Sequence, residues 1–257
     1  MKSGAISSIA TLVLSATLVV SGCGSAATIE HANELSAQRQ YRAAAKLLFA
    51  LSDSPASTPH QALAALDRLA SIQAYHLEEP TAARTTLLRA MELSSTPADA
   101  HLAARRAATI SVELLDDPAG AVEVYLRLVN RFPVSPEAQL SLGRAALSAG
   151  KLDLAEDALR FASSKKELEP EVLESLASLY IVEGRLREAT DALATLTEHP
   201  VEEARRAEAQ ALAAHCHEAL GELGLAEELY ARAGSSSERD RVAKLRSRSE
   251  GTSSARP

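Results

Sequence analysis

Four groups of residues in this chain are of types that do chemistry. His215-Cys216-His217 sets two imidazoles around a thiol, Glu174-Ser175 puts a carboxylic acid beside a hydroxyl, Arg68, Arg106 and Arg144 recur along the chain, and Cys23 follows an apolar run. The first group suggests a metal, but residues two apart on a helix point about 200° away from each other, so the two imidazoles cannot share an ion without ligands from elsewhere. The expectation is a Cys216 packed in a helix interface, with exposed or half-buried histidines beside it. Glu174 as a general acid needs a pKa raised by burial, yet it stands among Leu173, Leu176 and Tyr180, which a helical stack needs for itself. No G-x-S-x-G elbow, phosphate-cradling glycine loop or H-E-x-x-H pair occurs in the chain. The residues thus point away from an enzyme and from any metal or bound cofactor.

Composition narrows the classes further. The 257 residues carry 27 Lys and Arg against 34 Asp and Glu, a formal charge of -7, whereas nucleic-acid binding needs basic groups to neutralise phosphate. Five Tyr, three Phe and no Trp disfavour an aromatic sugar or base pocket. Two cysteines make no disulfide framework, so stability must come from packing. The 46% of hydrophobic residues, mostly Ala and Leu, suits close helix contacts, because small side chains let axes approach.

The elements that would position these groups are helices, and they repeat. Leu142, Gly143, Ala146, Gly150, Leu152, Ala155 and Leu159 recur 34 residues on as Leu176, Ala177, Tyr180, Gly184, Leu186, Ala189 and Leu193. This period and pattern resemble the tetratricopeptide repeat (TPR), a helix-turn-helix unit that stacks into a solenoid. The resemblance implies an all-α, TPR-like solenoid of about six units over residues 30–233, with Ala44, Ala83, Ala121, Ala155, Ala189 and Ala226 opening the second helices. Pro59, Pro80, Pro97, Pro118, Pro136, Pro170 and Pro200 are expected at helix starts, where a missing N–H costs nothing. Ser135 and Thr96 are expected as N-caps. Gly150, Gly184 and Gly221 are expected to let the chain reverse; the first three units lack such a glycine. Residues 234–257, rich in Ser, Arg and Glu, read as a capping segment near Arg239 to Arg246 followed by a disordered tail.

The amino terminus is of another kind. Lys2, the apolar stretch Ala5 to Val20 and the small residues Ser21-Gly22 have the layout of a secretory leader. Val20-Ser21-Gly22-Cys23 resembles the cleavage and acylation signal of bacterial lipoproteins. The resemblance implies a signal peptide at 1–22, a diacylglycerol and further acyl chain such as palmitate on Cys23, and a lipidated tether at 23–29. With Gly24 in place of the aspartate of inner-membrane retention, it also implies the periplasmic face of the outer membrane. A lipidated chain with these repeats is similar to the pilotin lipoproteins of pilus secretins and to the repeat lipoprotein of outer-membrane β-barrel assembly. Arg131-Phe132-Pro133-Val134-Ser135-Pro136 resembles the inter-repeat phrase common in the latter group.

In such repeats the first helices line the concave face and read peptides. The register places Arg68, Ile72 and Tyr75, then Arg106, Ile110 and Glu113, then Arg144 and Leu147, and finally Glu174 and Ile181 on that surface, with Glu171, Glu208 and Glu218 adding acid. The groove should therefore be basic early and acidic late, suiting an oriented peptide whose acidic part lies near the arginines. The function expected is a membrane-anchored scaffold or adaptor binding protein partners, a secretin or β-barrel assembly component among them. The other classes left open are a peptidoglycan-cleaving transglycosylase, whose acid-serine pair Glu174-Ser175 resembles, and a solute-binding lipoprotein.

Overall fold

The computed structural model describes residues 24–133 and 135–253. These form thirteen α-helices and one 3-10 turn, with no strand among the described residues. In order they are α1 Gly24–Ala37, α2 Tyr41–Asp53, α3 Pro59–Tyr75, α4 Pro80–Leu93, α5 Pro97–Glu113, α6 Pro118–Arg131, α7 Pro136–Ser148, α8 Leu152–Ala162, α9 Glu169–Val182, α10 Leu186–Glu198, α11 Glu203–Ala219, α12 Leu223–Arg232 and α13 Ser236–Ser253; the 3-10 turn, Lys166–Leu168, precedes α9. Each helix packs on the next along the chain, the arrangement of a quasi-one-dimensional stack.

Small residues at fixed places make this packing possible. Ala44, Ala83, Ala121, Ala155, Ala189 and Ala226 on the even-numbered helices from α2 to α12 are all buried. One turn further on, Leu48, Leu87, Tyr125, Leu159, Leu193 and Tyr230 fill the space beside them and are also buried. Facing them on the odd-numbered helices are Ala32, Ala70, Ala108, Gly143, Ala177 and Ala214, every one buried. Burying one Leu side chain contributes about 1.5–3 kcal/mol, and the backbones must come close for each Leu to reach both neighbours.

Helix ends follow the sequence in most places. Thr58, Thr96, Asp117 and Ser135 cap α3, α5, α6 and α7 through side-chain oxygens that accept from backbone N–H groups, and each cap is followed by proline. Pro59, Pro80, Pro97, Pro118, Pro136 and Pro170 stand in the first turn of their helices. Pro200 does not: α11 begins at Glu203, and Pro200 lies in the connection before it.

The reversals inside the pairs share one conformation. Gly150, Gly184 and Gly221 have φ of 70°, 73° and 80°, and in the first three pairs Arg39, Glu78 and Asp116 take the same left-handed region at 60°, 57° and 49°. A side chain there costs about 1–2 kcal/mol, which tertiary packing supplies in the early pairs. The turns after α3 and α5 also hold one residue more. Lys151 N–H bonds to the Ala146 carbonyl five residues back, whereas Glu79 and Asp117 reach six residues back, to Gln73 and Ser111.

Two boundaries differ from expectation. Gly24 already opens α1, so the stretch read as a tether is helical from Gly24 onward. At the other end α13 runs to Ser253, well past the cap expected near Arg239 to Arg246. Its Val242 is fully buried against Ala214, Ala226 and Tyr230, and Arg241 bonds Glu218 through two nitrogens at 2.6 and 2.7 Å. Cys23 and the leader 1–22 lie outside the described residues.

Candidate protein-binding face

The odd-numbered helices α1 to α11 carry all the residues singled out as a groove, and the structure assigns them unequal roles. Ile72 and Ile110 are only 6% and 4% exposed and belong to the cores around α2–α3 and α4–α6. Both are packing residues, and Ile110 also shows an edge in a small hollow beside Tyr75. Leu147 packs half-buried against the core, and Ile181 is half-buried as well. Tyr75 and Glu113 are exposed, Tyr75 at 60%.

The arginines are engaged within the stack. Arg68 donates to Asn33 Oδ1 at 2.6 Å, and Arg106 donates to Ser71 Oγ at 2.7 Å while pairing with Asp67. Arg144 donates to Ser175 Oγ at 3.0 Å and lies 3.6 Å from Glu174. On the acidic side Arg205 reaches Glu171 at 3.2 Å and Glu174 at 2.9 Å. The Glu174 hydrogen bond raises the Arg205 pKa most, against some burial, with Glu171 adding to it. Arg106, Arg144, Glu171 and Glu174 are thus paired with opposite charges from neighbouring helical pairs, whereas Arg68 meets the neutral Asn33.

A rule underlies these contacts. Arg68 and Arg106 stand two residues before the buried Ala70 and Ala108, and their partners Asn33 and Ser71 stand just after Ala32 and Ala70. Between α7 and α9 the same two places are used with the residue types exchanged: Arg144 follows Gly143, and Ser175 precedes Ala177 by two. Between α5 and α7 the places hold Thr109 and Ser141, and no arginine bridges them. Ser141 Oγ instead contacts His101 Nε2 at 2.8 Å, and His101 sits edge-on to Tyr125. Burial first, and then Arg105, push the His101 pKa down, with Glu137 opposing.

A cleft runs between α3 and α5, floored by α4. At one end Leu63, Leu87 and Leu102, together with His60 and the carboxylates Asp67 and Asp99, line a well of about 230 Å³. At the other end Tyr75, Arg105, Arg106, Thr109 and Ile110 line a smaller hollow of about 120 Å³. The Arg106–Asp67 pair crosses between them. Arg105 is exposed and makes no hydrogen bond or ion pair with any acid among the described residues. Sequence reasoning passed over both Arg105 and Leu102. The signal for Arg105 was its place beside Arg106, whose partner Asp67 stands on the preceding odd-numbered helix, but reading it requires the extra residue in the turns after α3 and α5 to be known.

The histidines of α11 serve different neighbours. His215 lies edge-on to Tyr230, His217 Nδ1 contacts Glu222 at 2.6 Å, and Cys216 between them is buried. Burial raises the Cys216 pKa. Among the described residues no group of His, Cys, Asp and Glu is placed to hold a metal ion, and no helix is long and apolar enough to cross a membrane.

The fold is that of TPR proteins. PilW, described as a widely conserved type IV pilus biogenesis factor, is similar with a TM-score of 0.54 at 19% identity, covering 87% of this chain and 100% of its own. A tetratricopeptide repeat protein from Parabacteroides merdae gives 0.52 at 17% identity, over 87% and 99% of the two chains. BtubC from P. vanneervenii gives 0.56 at 14% identity, over 87% and 90%. No family model matches the sequence, and no curated protein does.

Proposed function

We propose that this protein is a lipid-anchored adaptor that holds protein partners on a solenoid of six TPR-like helical pairs, without catalysing a reaction. Cys23, acylated after removal of residues 1–22, ties it to the outer membrane on the periplasmic side. The observation that carries this reading is the adjacency of Val20-Ser21-Gly22-Cys23 to the first helix of the stack. An acyl-thioether cysteine with two or more chains anchors stably. Because α1 starts at Gly24, residues 24–29 of the expected tether rise only about 9 Å as a helix. The stack then sits against the leaflet, where it can meet a partner that is itself entering the membrane, such as a secretin or a β-barrel assembly component. The likeness to a type IV pilus biogenesis factor is one of fold, and it makes pilus assembly the first system in which to look for that partner.

The transglycosylase alternative finds no support in the geometry, since the Glu174 carboxylate is occupied by Arg205 at 2.9 Å and has Arg144 at 3.6 Å. The test is fractionation of cells carrying the wild-type chain or Cys23→Ala. The wild type is expected with outer membranes and labelled by palmitate, the variant in the soluble periplasm and unlabelled. A Cys23→Ala chain that stays membrane-bound removes the anchor.

A further inference from the structure

The outer face of the stack changes charge along its length. Arg42, Lys46 and Phe49 stand four and then three residues apart on α2 and so share one stripe of it. All three are exposed, Phe49 at 54%, whereas Ala44 on the opposite side of the helix is buried, which puts the stripe on the outside of the solenoid. Neither cation has a hydrogen-bond or ion-pair partner for its side chain among the described residues. Asp53 continues the stripe, but Arg89 pairs with it at 2.7 Å and lays its guanidinium 5.9 Å from the centre of the Phe49 ring. On α1 the acids Glu30 and Glu34 flank the buried Ala32 at two residues on either side, about 200° round the helix from the side that packs on α2. The place of Lys46, two residues after the buried alanine, holds Thr85, Glu123, Asp157, Asp191 and Glu228 on the later even-numbered helices, all exposed. A cation there belongs to the first pair alone, and from α6 onward the place is acidic.

The first pair is also the one beside Cys23. Gly24, which opens α1, follows that cysteine directly in the chain. The short turn at residues 38–40 sends α2 back antiparallel to α1, so the half of α2 that carries Phe49 returns towards the Gly24 end. Resting on the lipid-anchor reading, we infer that the outer face of α2 docks on the membrane surface, Arg42 and Lys46 binding the phosphates of anionic phospholipids and Phe49 entering the headgroup layer beside them. An aromatic ring next to cations suits that layer, where the ring leaves water and the cations meet lipid phosphate. Each cation strengthens association with an anionic leaflet about fivefold. That is too little to hold a protein alone, yet enough to orient one whose acyl chains already keep it at the surface. The same leaflet repels Glu123, Asp157, Asp191 and Glu228, so the stack rests on its first pair and its later pairs project towards the partner.

The chain contains no Trp, so Phe49→Trp places a single reporter on α2, and Leu245→Trp places one on α13, where Leu245 is exposed beside Lys244. The mature acylated protein is reconstituted with vesicles of phosphatidylcholine alone or with about 30% phosphatidylglycerol. Flotation reports attachment, and lipids brominated in the upper acyl chain report contact by quenching the indole. The protein is expected to float with both vesicles. The indole at position 49 should be quenched about threefold more with phosphatidylglycerol than without it, and the one at position 245 in neither. Arg42→Glu with Lys46→Glu should abolish the excess, as should the milder Arg42→Gln with Lys46→Gln, with circular dichroism unchanged. A protein that floats while the indole at position 49 stays unquenched, responds equally to both lipids or ignores the charge changes overturns the docking and keeps the anchor. So does quenching at position 245 equal to that at position 49. A protein that floats with neither vesicle overturns both.

Discussion

Arg205 grips Glu174 across the junction of α9 and α11, with Nη2 2.9 Å from one carboxylate oxygen and Nε 3.2 Å from the other. The pair fastens two neighbouring helical pairs together. Arg144, 3.6 Å from the same carboxylate, extends it towards α7. Both partners remain partly in water, so the fastening is modest. Glu174→Gln is expected to lower stability by only about 0.5–1 kcal/mol, read from the denaturant midpoint. The same variant should match the wild type in a peptidoglycan-release assay, both at background; a release activity present in the wild type and lost in the variant would restore the enzyme.

Gly143 is required by its neighbour Leu159. A Cβ on Gly143 would stand 2.7 Å from Leu159 Cγ and 2.8 Å from Cδ2, and Leu159 is fully buried. Gly143→Ala therefore trades a helix-propensity gain of about 1 kcal/mol for overpacking of about 1–3 kcal/mol. A net loss of roughly 1 kcal/mol is expected by chemical denaturation. At the equivalent Ala177 the reverse change, Ala177→Gly, should also destabilise, by about 1 kcal/mol, because there the methyl is already accommodated.

The left-handed turns make a paired prediction. Glu78→Gly and Asp116→Gly relieve side chains held at φ of 57° and 49°. Each should raise stability by about 0.5 kcal/mol once the added freedom of the unfolded chain is subtracted. Gly150→Ala, at φ of 70° with open space around it, should cost about 1 kcal/mol through backbone conformation alone. Melting curves of the three variants check the opposite signs.

His101 gives the stack a pH dependence. Burial and Arg105 hold its folded-state pKa below the ordinary 6.5, so the unfolded chain takes up a proton first as pH falls. Stability should decline as pH drops through about 6.5 and level off below the folded-state value. His101→Gln should flatten the melting temperature in that interval while keeping a hydrogen-bonding side chain near Ser141. An unchanged slope would place the titration elsewhere.

Much of the fold was written locally. The recurrence of Ala155 at Ala189, the prolines after Thr96 and Ser135, and the glycines at 150, 184 and 221 each act within a few residues, and each performs as its chemistry dictates. Pro200 shows the limit of such reasoning, since a proline also suits the loop ahead of a helix. Ile72 and Ile110 show another. An extra residue in the turns after α3 and α5 shifts the numbering of those helices by one position when they are counted back from the turn, so a register carried across from α7 and α9 misassigns which side chains meet solvent.

The sequence by itself determined that the chain is a stack of helical pairs, because helix period, caps and small-residue spacing are properties of short segments. Which charges remain free was decided by tertiary structure alone. Arg106 with Asp67 and Ser71, Arg144 with Ser175 and Arg205 with Glu174 are matched across some thirty residues or more, and only stacking brings them within hydrogen-bond reach. Among the described arginines of the odd-numbered helices α3 to α11, Arg105 is left without a hydrogen-bond partner for the same reason: its neighbours are set by how one pair rests upon the next, a distance no local pattern encodes.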